Sequence, residues 1–392
     1  MVITRQRCPS CNCNDVSVFY EVDDVPVNSV VLLPTQAEAF SFPTGDIALG
    51  FCSSCGFITN TAFDPMLIEY SARYESTQGY SPGFNVYHRD LARRLIDQCQ
   101  LTNKTIIEIG CGQGEFLELL CELGHNKGVG FDPTYTGTRV PQKTEDLTFV
   151  SDFYSERYAH IKSDFICCKM TLEHIAETAE FVSMIRRTLG NATKTLVFFQ
   201  VPDVTRVLHE YAFWDIYYEH CSYFSLGSLA RLFRHCGFDI VDLRKDFGDQ
   251  YLSIIAQPRA GSRAIQTGEA DPDIPAQEIA HFDRNSRRRR ALWREWLHAF
   301  KQAGQKTVIW GASSKGVSFL TTLQLRDEIE YAIDINPHKW GTYLAGAGQR
   351  IESPEFLSSY RPDVVLVMNS IYRQEIQQQL DRLAVQAELM TV

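Results

Sequence analysis

The feature that most constrains this chain is a glycine-rich turn between an apolar segment and a helical one. Residues 105–109 form a short apolar run, and helical spacing resumes at residues 116–123. Between them three glycines stand at alternate positions, Gly110, Gly112 and Gly114. Glycine adopts backbone angles that other residues avoid and lets a ligand approach the main chain closely. With a second predicted strand at residues 128–132, the pattern predicts a βαβ unit and a mainly parallel sheet.

The alternation of predicted helices and strands divides into two α/β patterns. The first begins with an amphipathic helix at residues 88–98 and has later strands at 147–150, 165–168 and 195–199. The second has a helix at residues 288–303 and strands at 308–310, 331–334 and 363–367. A polar stretch at residues 259–285 between them predicts a linker. At 392 residues the chain exceeds one ordinary domain, so we expect three units, residues 1–75, 76–258 and 259–392.

Two C-x-x-C pairs predict a structural zinc site in the first unit. The pairs are Cys8 with Cys11 and Cys52 with Cys55. This spacing lets a tight turn present two thiolates to one metal, and a unit below about 80 residues usually needs such a staple. Four sulfur ligands complete a tetrahedron, so a catalytic zinc is not expected here. Cys13 is then a spare thiol, and four buried cysteines without a metal are the alternative.

The charge and the hydropathy of the chain argue against two kinds of partner. A formal charge of -10 does not favour nucleic acid or anionic lipid, because both need a basic surface. The basic run at residues 287–290 is interpreted as a solvated helix start, with a phosphate contact as the alternative. The sequence has no N-terminal apolar segment and no run of about 18 apolar residues. We therefore expect a cytoplasmic protein, with no nucleic-acid partner and no membrane partner.

The glycine turn and the acidic residues around it predict a site for S-adenosylmethionine. Glu108 lies in the strand before the turn, and the pattern E-x-G-x-G-x-G resembles the first motif of class I methyltransferases, although glycine turns also bind dinucleotides. The helix start favours the cofactor's carboxylate, and Glu108 would orient its amino acid end. Asp132, ending the second strand, would accept hydrogen bonds from both ribose hydroxyls. Asp152, with Phe153 beside it, would bind the adenine, and a helix cap is the alternative for Asp152.

Two histidine-containing segments follow strands of the same predicted sheet and would reach its ligand edge. The first contains His174, and the second contains Glu219 and His220 between Tyr217 and Tyr223. Imidazole can remove a proton beside a carbonyl near neutral pH, and tyrosine or protonated histidine can donate to the developing enolate oxygen. Packing within an aromatic stretch is the alternative for these histidines.

The order of these segments resembles the sugar C-methyltransferases, which methylate a deoxysugar carbon beside a 4-keto group while the sugar is attached to a nucleoside diphosphate. The resemblance covers nearly the full chain and includes the cysteine pairs, the tripeptide at 79–81, the glycine turn, L-x-H at 172–174, Y-x-E-H at 217–220, and residues 311–316 and 334–339. It implies an α/β fold with a class I methyltransferase Rossmann-like domain. A small N-terminal zinc-binding module and a second Rossmann-like C-terminal domain would complete the chain.

The resemblance also implies roles for individual residues. His220 would remove the proton next to the ketone, with Glu219 beside it. The residues that contact the sugar or stabilise the enolate would be Tyr80, His174 and Tyr217. The other substrate-binding residues would be Tyr223 and Lys315. Lys315 lies in the turn G-A-S-S-K-G and would contact the nucleotide part of the substrate, and a surface lysine in a tight turn is the alternative. A monomer or a homodimer is expected.

Two segments depart from the pattern of that family. Met170 stands where an asparagine is expected before L-x-H, and residues 249–253 read D-Q-Y-L-S where the family usually has G-G-S-L-R. These positions would line the substrate side, so the acceptor or the attacked atom can differ. Methyl transfer to oxygen or nitrogen, and binding of S-adenosylmethionine by a non-catalytic scaffold, are therefore kept as alternative interpretations.

Overall fold

The computed structural model of the chain describes residues 7–68, 71, 73–141, 143–260 and 274–392. Its strands are β1 (Val16–Pro26), β2 (Thr44–Cys52), β3 (Ile58–Asn60), β4 (Thr105–Ile109), β5 (Lys127–Phe131), β6 (Leu147–Val150), β7 (Phe165–Lys169), β8 (Leu196–Pro202), β9 (Ser222–Tyr223), β10 (Phe238–Asp246), β11 (Tyr251–Pro258), β12 (Thr307–Trp310), β13 (Tyr331–Ile333), β14 (Arg350–Glu352), β15 (Val364–Val367) and β16 (Glu388–Thr391). Its helices are α1 (Gln36–Phe40), α2 (Pro82–Cys99), α3 (Glu115–Gly124), α4 (Thr178–Leu189), α5 (Val204–Glu210), α6 (Leu226–His235), α7 (Ala276–Gln302), α8 (Ser314–Leu323), α9 (Leu357–Tyr360) and α10 (Arg373–Arg382). Of the helices in this described part of the chain, none has the length and the apolar character that crossing a bilayer requires.

The central sheet has seven strands in the order β10-β11-β8-β7-β4-β5-β6. The strands from β8 to β6 are parallel, whereas β11 is antiparallel to both β8 and β10. In register, Glu108 of β4 lies opposite Gly130 of β5 and Cys167 of β7. The chain runs from β4 to β5 on one side and returns to β7 on the other, so the carboxyl ends of β4 and β7 flank a crevice where open α/β sheets bind ligands. This arrangement confirms the class I methyltransferase fold that the sequence predicts.

Helix α2 confirms the helix predicted at residues 88–98 but begins earlier, at Pro82. Ser81 caps it, because its hydroxyl accepts the main-chain N–H of Phe84, and proline suits the first turn of a helix. In the central sheet, β4 and β6 have the predicted bounds, and the other predicted strands are confirmed with shifts at their ends. The boundaries between units at residues 75 and 258 stay predictions.

The polar stretch predicted as a linker is in part a long helix. Helix α7 begins at Ala276, so the linker prediction is wrong for residues 276–285, and the helix predicted at 288–303 starts too late. Residues 261–273 of the predicted linker lie outside the described residues. The buried face of α7 is narrow and consists of Phe282, Ser286, Trp293 and Leu297. Because the remaining positions are mostly polar, the composition of the segment conceals its helical period. The basic run at 287–290 accordingly lies inside the helix and not at its start.

A four-stranded antiparallel sheet joins the first unit to the central one. Its order is β1-β2-β3-β9, and β9 belongs to the segment that carries His220. Across β3 and β9, Ile58 pairs with Tyr223 and Thr59 pairs with Ser222. The sequence does not predict this pairing, because the two partners lie far apart along the chain. The histidine segment is therefore held against the N-terminal unit.

The C-terminal sheet is parallel throughout, in the order β14-β13-β12-β15-β16, and confirms the second α/β pattern. Helix α8 packs on a 3-10 turn at Phe213–Asp215, which precedes the His220 segment. The ring of Phe319 stacks on that of Phe213, and the hydroxyl of Ser318 donates to the Phe213 carbonyl at 3.2 Å. One apolar cluster contains Phe213, Phe319 and Tyr20 of β1. The three units therefore share a core.

We expect Phe282→Ala to destabilise the protein by about 3–5 kcal/mol, because it removes a fully buried ring from that core. The ring of Phe282 lies 5.1 Å from that of Tyr20, edge to face. Leu292→Ala, on an exposed position of the same helix, is the matched control and should change the free energy of unfolding by less than about 0.5 kcal/mol. Urea denaturation followed by circular dichroism measures both. Equal losses in the two variants would contradict the placement of α7.

Candidate active site

A cavity of about 730 Å³ lies at the carboxyl ends of the parallel strands, and residues from all three units line it. Its volume is in the range of pockets that bind small molecules. The predicted cofactor and substrate residues that line it are Tyr80, Glu108, Gly110, Gly112, Asp132, Asp152, Phe153, His174, Tyr217, Glu219, His220, Tyr223 and Lys315. Gly114, the last glycine of the turn, is not part of the cavity wall and precedes the first residue of α3. Residues predicted from separate motifs thus meet at one place.

The glycine turn brings the main chain to the floor of the cavity. Gly110 has a φ of 71°, and a Cβ there would overlap the hydroxyl of Thr171. Gly112 has a φ of 55°, and a Cβ there would meet no atom within 4 Å. The N–H of Gly112 donates to Asp132 Oδ2 at 2.8 Å. The open space beside Gly112 is where a ligand can approach the backbone.

Two acidic residues flank the turn. Asp132 Oδ1 accepts the N–H of Thr134 at 2.8 Å and its hydroxyl at 2.6 Å, so with the bond from Gly112 the carboxylate can accept about one further hydrogen bond. Glu108 is 2% exposed, and its Oε2 has no hydrogen-bond partner among the described residues. Burial raises the pKa of Glu108 to about 8, and Lys169 opposes that shift. A buried carboxyl with an unpartnered oxygen fits the ammonium group of a cofactor such as S-adenosylmethionine.

Asp152 lies in a turn after β6. Its Oδ1 accepts the N–H of Phe153 at 2.8 Å, and its Oδ2 accepts the hydroxyl of Tyr158 at 2.6 Å and pairs with Arg157. The next helical turn has Ser155 at its cap position, so Asp152 is not a helix cap. Phe153 is 59% exposed, although it borders the cavity. A ring that borders the crevice can form part of the wall of a site for a planar ligand.

The candidate reacting groups surround two imidazoles. The ring centroid of His220 lies 4.7 Å from that of His174, 4.3 Å from that of Tyr217 and 6.5 Å from that of Tyr223. The main chain of Glu219 opposes the fall in the pKa of His174 that burial causes, and the Nδ1 of His174 is buried with no partner among the described residues. No hydrogen bond joins the His220 ring to any described residue. His220 is therefore the imidazole whose nitrogens are open to a ligand.

Burial sets the protonation states of the two histidines and of Tyr217. It lowers the pKa of His220 well below the ordinary value, and His174 and Lys315 lower it further. Burial also lowers the pKa of His174 to about 4. Both imidazoles are consequently neutral at pH 7 and able to accept a proton. Burial raises the pKa of Tyr217 well above its ordinary value, so that phenol keeps its proton and can donate.

The carboxyl of Glu219 bonds to the N-terminal unit and not to an imidazole. Its Oε1 accepts the N–H of Ser29 at 3.0 Å and the Ser29 hydroxyl as well. Sequence reasoning missed Glu173. One of its carboxylate oxygens lies within 4.8 Å of a ring nitrogen of His174 and of a ring nitrogen of His220. Burial raises the pKa of Glu173 to about 8 and that of Glu219 to about 7. The position of Glu173 inside the L-x-H segment, directly after a strand, was the available signal.

Lys315 faces a buried carboxylate in the wall of the cavity. Its Nζ lies 2.7 and 2.8 Å from the two oxygens of Asp215, and Arg206 pairs with the same group. Its side chain is 19% exposed, so the alternative of a surface lysine is wrong. Tyr80, by comparison, is 38% exposed and borders the cavity with its ring 6.0 Å from that of His338.

One wall of the cavity is an ion-pair cluster that joins segments remote in sequence, which we call the Arg139 junction. Arg139 contacts both carboxylate oxygens of Glu75 at 2.7 Å and Glu115 at 2.8 Å. Asn336 of the C-terminal unit donates its Nδ2 hydrogen to Glu75 Oε1 at 3.0 Å. Sequence reasoning assigned no role to these four residues, because they are remote from one another in sequence; only Asn336 lies in a segment of the resemblance, residues 334–339.

The four predicted zinc ligands also lie together, apart from the cavity. The Sγ atoms of Cys8, Cys11, Cys52 and Cys55 are within 4.8 Å of one another. The distances from Cys8 to Cys55 and from Cys11 to Cys52 are 3.7 Å. A tetrahedral zinc ion with Zn–S bonds of about 2.3 Å separates its sulfur ligands by about 3.8 Å, so the cluster is compatible with zinc. Cys13 is exposed and lies outside the cluster, as predicted.

Two models of protein families match this chain. A methyltransferase domain matches residues 84–243, and a C-methyltransferase C-terminal domain matches residues 263–390. Together with the fold and the glycine turn, these matches identify the chain as an S-adenosylmethionine-dependent methyltransferase. The reading as a non-catalytic scaffold is therefore wrong.

One curated relative makes the similarity more specific. The C-methyltransferase NovU of Streptomyces niveus is 29% identical over 304 residues, which are 72% of this chain and 72% of that protein. The pair of domains and this relative support methyl transfer to carbon.

Solved structures resemble the chain only distantly. Human N-acetylserotonin methyltransferase in complex with S-adenosylmethionine is 16% identical, covering 43% of this chain and 52% of its own, with a TM-score of 0.36. Magnesium protoporphyrin IX methyltransferase from Synechocystis PCC 6803 is 15% identical, covering 45% of this chain and 84% of its own, with a TM-score of 0.36. Scores this low transfer no structural detail to the present chain.

We expect Gly110→Ala to destabilise the protein more than Gly112→Ala. Both glycines have positive φ, which costs an alanine about 1–2 kcal/mol, but only at Gly110 does the new methyl group overlap a neighbour, Thr171. The overlap should add about 1–3 kcal/mol. Urea denaturation of both variants without ligand measures the difference. Equal stability of the two would show that Thr171 does not confine the turn.

Proposed function

We propose that this methyltransferase acts on a carbon atom of a nucleotide-linked 4-keto-deoxysugar, with His220 as the base. The observation that carries the proposal is the buried imidazole of His220, neutral and without a hydrogen bond to any described residue, in a cavity shared by three units. The C-methyltransferase C-terminal domain and the similarity to NovU favour carbon over oxygen or nitrogen.

The proton transfer that we propose needs only groups of this chain. A ring nitrogen of His220 accepts the proton from the carbon next to the ketone, and the electron pair of the broken C–H bond moves into an enolate. The hydroxyl of Tyr217, which burial keeps protonated, donates to the enolate oxygen. The second imidazole, that of His174, lies beside the first, with 4.7 Å between the ring centroids. The catalytic group then consists of His220 and Tyr217, with His174, Glu219 and Tyr80 around the sugar.

We propose that S-adenosylmethionine binds along the glycine turn. Asp132 would accept a ribose hydroxyl, Glu108 the amino group, and Asp152 with Phe153 would border the adenine. The cofactor, when bound, supplies a methyl group made electrophilic by the positive sulfur. The unpartnered oxygen of Glu108 and the open space at Gly112 support this placement. It leaves the opposite side of the cavity, with His220, for the acceptor.

We propose that the nucleotide part of the substrate binds near Lys315 and Tyr223. Lys315 and Arg206 share one carboxylate, Asp215, and Arg206 Nε has no partner among the described residues. The N–H groups of two cations around one acidic group can donate hydrogen bonds to the oxygens of a phosphate. The substrate would then extend from this cluster to His220.

We expect His220→Ala to abolish proton abstraction while S-adenosylmethionine still binds. Removing a general base costs about 100-fold or more in rate, whereas the cofactor residues are untouched. The test incubates the enzyme with nucleoside-diphosphate-linked 4-keto-deoxysugars in deuterium oxide and follows deuterium uptake and methyl gain by mass spectrometry. His209→Ala, whose side chain is 82% exposed, is the matched control and should keep full activity.

Two results of this experiment would reject the proposal. Full activity of His220→Ala would remove the assigned base. The natural enzyme could instead add the methyl group to oxygen or nitrogen and introduce no deuterium at the carbon beside the ketone. That result would show that the acceptor atom is not carbon.

We also propose that the four-cysteine cluster holds one structural Zn²⁺. Cys52→Ser should then lose the metal and unfold the N-terminal unit, because binding of a structural zinc contributes directly to folding. Cys13→Ser should keep both, since that thiol is exposed and outside the cluster. Atomic emission for zinc and urea denaturation measure the two effects. Purified protein that is stable and contains no zinc would exclude the site.

A further inference from the structure

Five lysine or arginine side chains line the cavity within the described residues, Arg139, Lys169, Arg206, Lys315 and Lys339. Four of them are in ion pairs: Arg139 with Glu75, Arg206 and Lys315 with Asp215, and Lys339 with Asp334. Lys169 has neither an ion pair nor a side-chain hydrogen bond to a described residue. Its Nζ lies over the face of the Phe116 ring, 5.2 Å from the centroid. Among these five cations of the described cavity wall, Lys169 is thus the one without an ion pair.

Lys169 stands where the amino acid end of the cofactor is proposed to bind. It is the last residue of β7, beside β4, which carries Glu108. Phe116, which its ammonium group contacts, lies in the first turn of α3, directly after the glycine turn. Burial lowers the pKa of His88, and Lys169 lowers it further; Lys169 also opposes the rise that burial causes in the pKa of Glu108. In register, Glu108 lies opposite Cys167, two residues before Lys169, so the ammonium group stands at the end of β7 beside the first turn of α3.

The charges of the site indicate which group of the cofactor Lys169 can bind. The amino acid end of S-adenosylmethionine carries an ammonium and a carboxylate. Glu108 can bind the ammonium, but an ionised acid of the cavity such as Asp132 would repel the carboxylate. Bringing that carboxylate into a partly buried site without a cation would be costly. The positive end of α3 favours the same anion.

We infer that Lys169 binds the α-carboxylate of the cofactor and, with Glu108, forms a two-point clamp on its amino acid end. The inference rests on the cofactor placement proposed above and does not depend on the acceptor. Lys169 is a positioning residue in this role, because it fixes the direction in which the methyl group is presented. In a different role, Lys169 would donate a hydrogen bond to the enolate oxygen of the acceptor. The experiment below distinguishes the two roles.

The experiment compares two ligands that differ only in the carboxylate, S-adenosylmethionine and its decarboxylated form. Calorimetric titration without acceptor gives the Kd of each. Lys169→Met should weaken binding of S-adenosylmethionine about 10- to 100-fold, the loss expected for a charge-assisted hydrogen bond. It should leave the decarboxylated ligand unchanged or slightly tighter, since a positive charge next to its ammonium has gone. Lys169→Arg should recover part of the affinity.

Two control variants complete the design. Lys127→Met changes an exposed lysine at the start of β5 and should affect neither ligand. Asp132→Ala should weaken both ligands equally, because they share the ribose. Melting curves verify that every variant is folded.

Each contrary outcome has a separate meaning. If Lys169→Met weakens both ligands equally, or weakens neither while Asp132→Ala weakens both, the inference is overturned and the cofactor placement stands. A Lys169→Met enzyme that binds S-adenosylmethionine normally but turns over slowly assigns Lys169 to the acceptor instead. If Asp132→Ala affects neither ligand, the cofactor placement fails and the inference fails with it.

Discussion

The hydrogen-bonded pairing of β9 with β3 sets the geometry on which the cavity depends. Ile58 with Tyr223 and Thr59 with Ser222 hold the segment of His220 against the N-terminal sheet. Side chains alternate across a strand, so this register also decides which side of the strand Tyr223 occupies. The bond from Ser29 to the buried carboxyl of Glu219 adds a second attachment. The wall that carries the candidate base is thus positioned by a unit outside the methyltransferase sheet.

Burial reverses the usual protonation pattern around this wall. Acids such as Glu108 and Glu173, with pKa values of about 8, retain protons at neutral pH, while the two imidazoles do not. These glutamates and imidazoles are therefore mostly uncharged before ligands arrive, which limits the cost of burying them. A positively charged ligand group beside Glu108 favours its ionised form, so proton release and cofactor binding are coupled there.

Local patterns predicted the elements whose signals lie within about 30 residues, such as β4, the glycine turn and α3. The cysteine and histidine motifs were also contiguous, and the structure brings their members together. Contacts between remote segments were beyond such reasoning. The partner of β9, the role of α7 and the position of Glu173 beside the imidazoles depend on packing that no short window contains. Lys169 follows a predicted strand and belongs to no motif, and its lack of an ion-pair partner is visible only when its neighbours are known.

The Arg139 junction limits how this enzyme can diverge. Glu75, Arg139 and Asn336 border the ligand cavity and also connect the units, and the ion pair between Arg139 and Glu75 is mostly shielded from water. Removing one member of a buried pair leaves an uncompensated charge that costs about 3–5 kcal/mol. A lineage that acquires a new acceptor by altering this wall would lose stability at the same step. Evolution of specificity should therefore proceed through other walls first, and the junction should be among the last parts of the pocket to change.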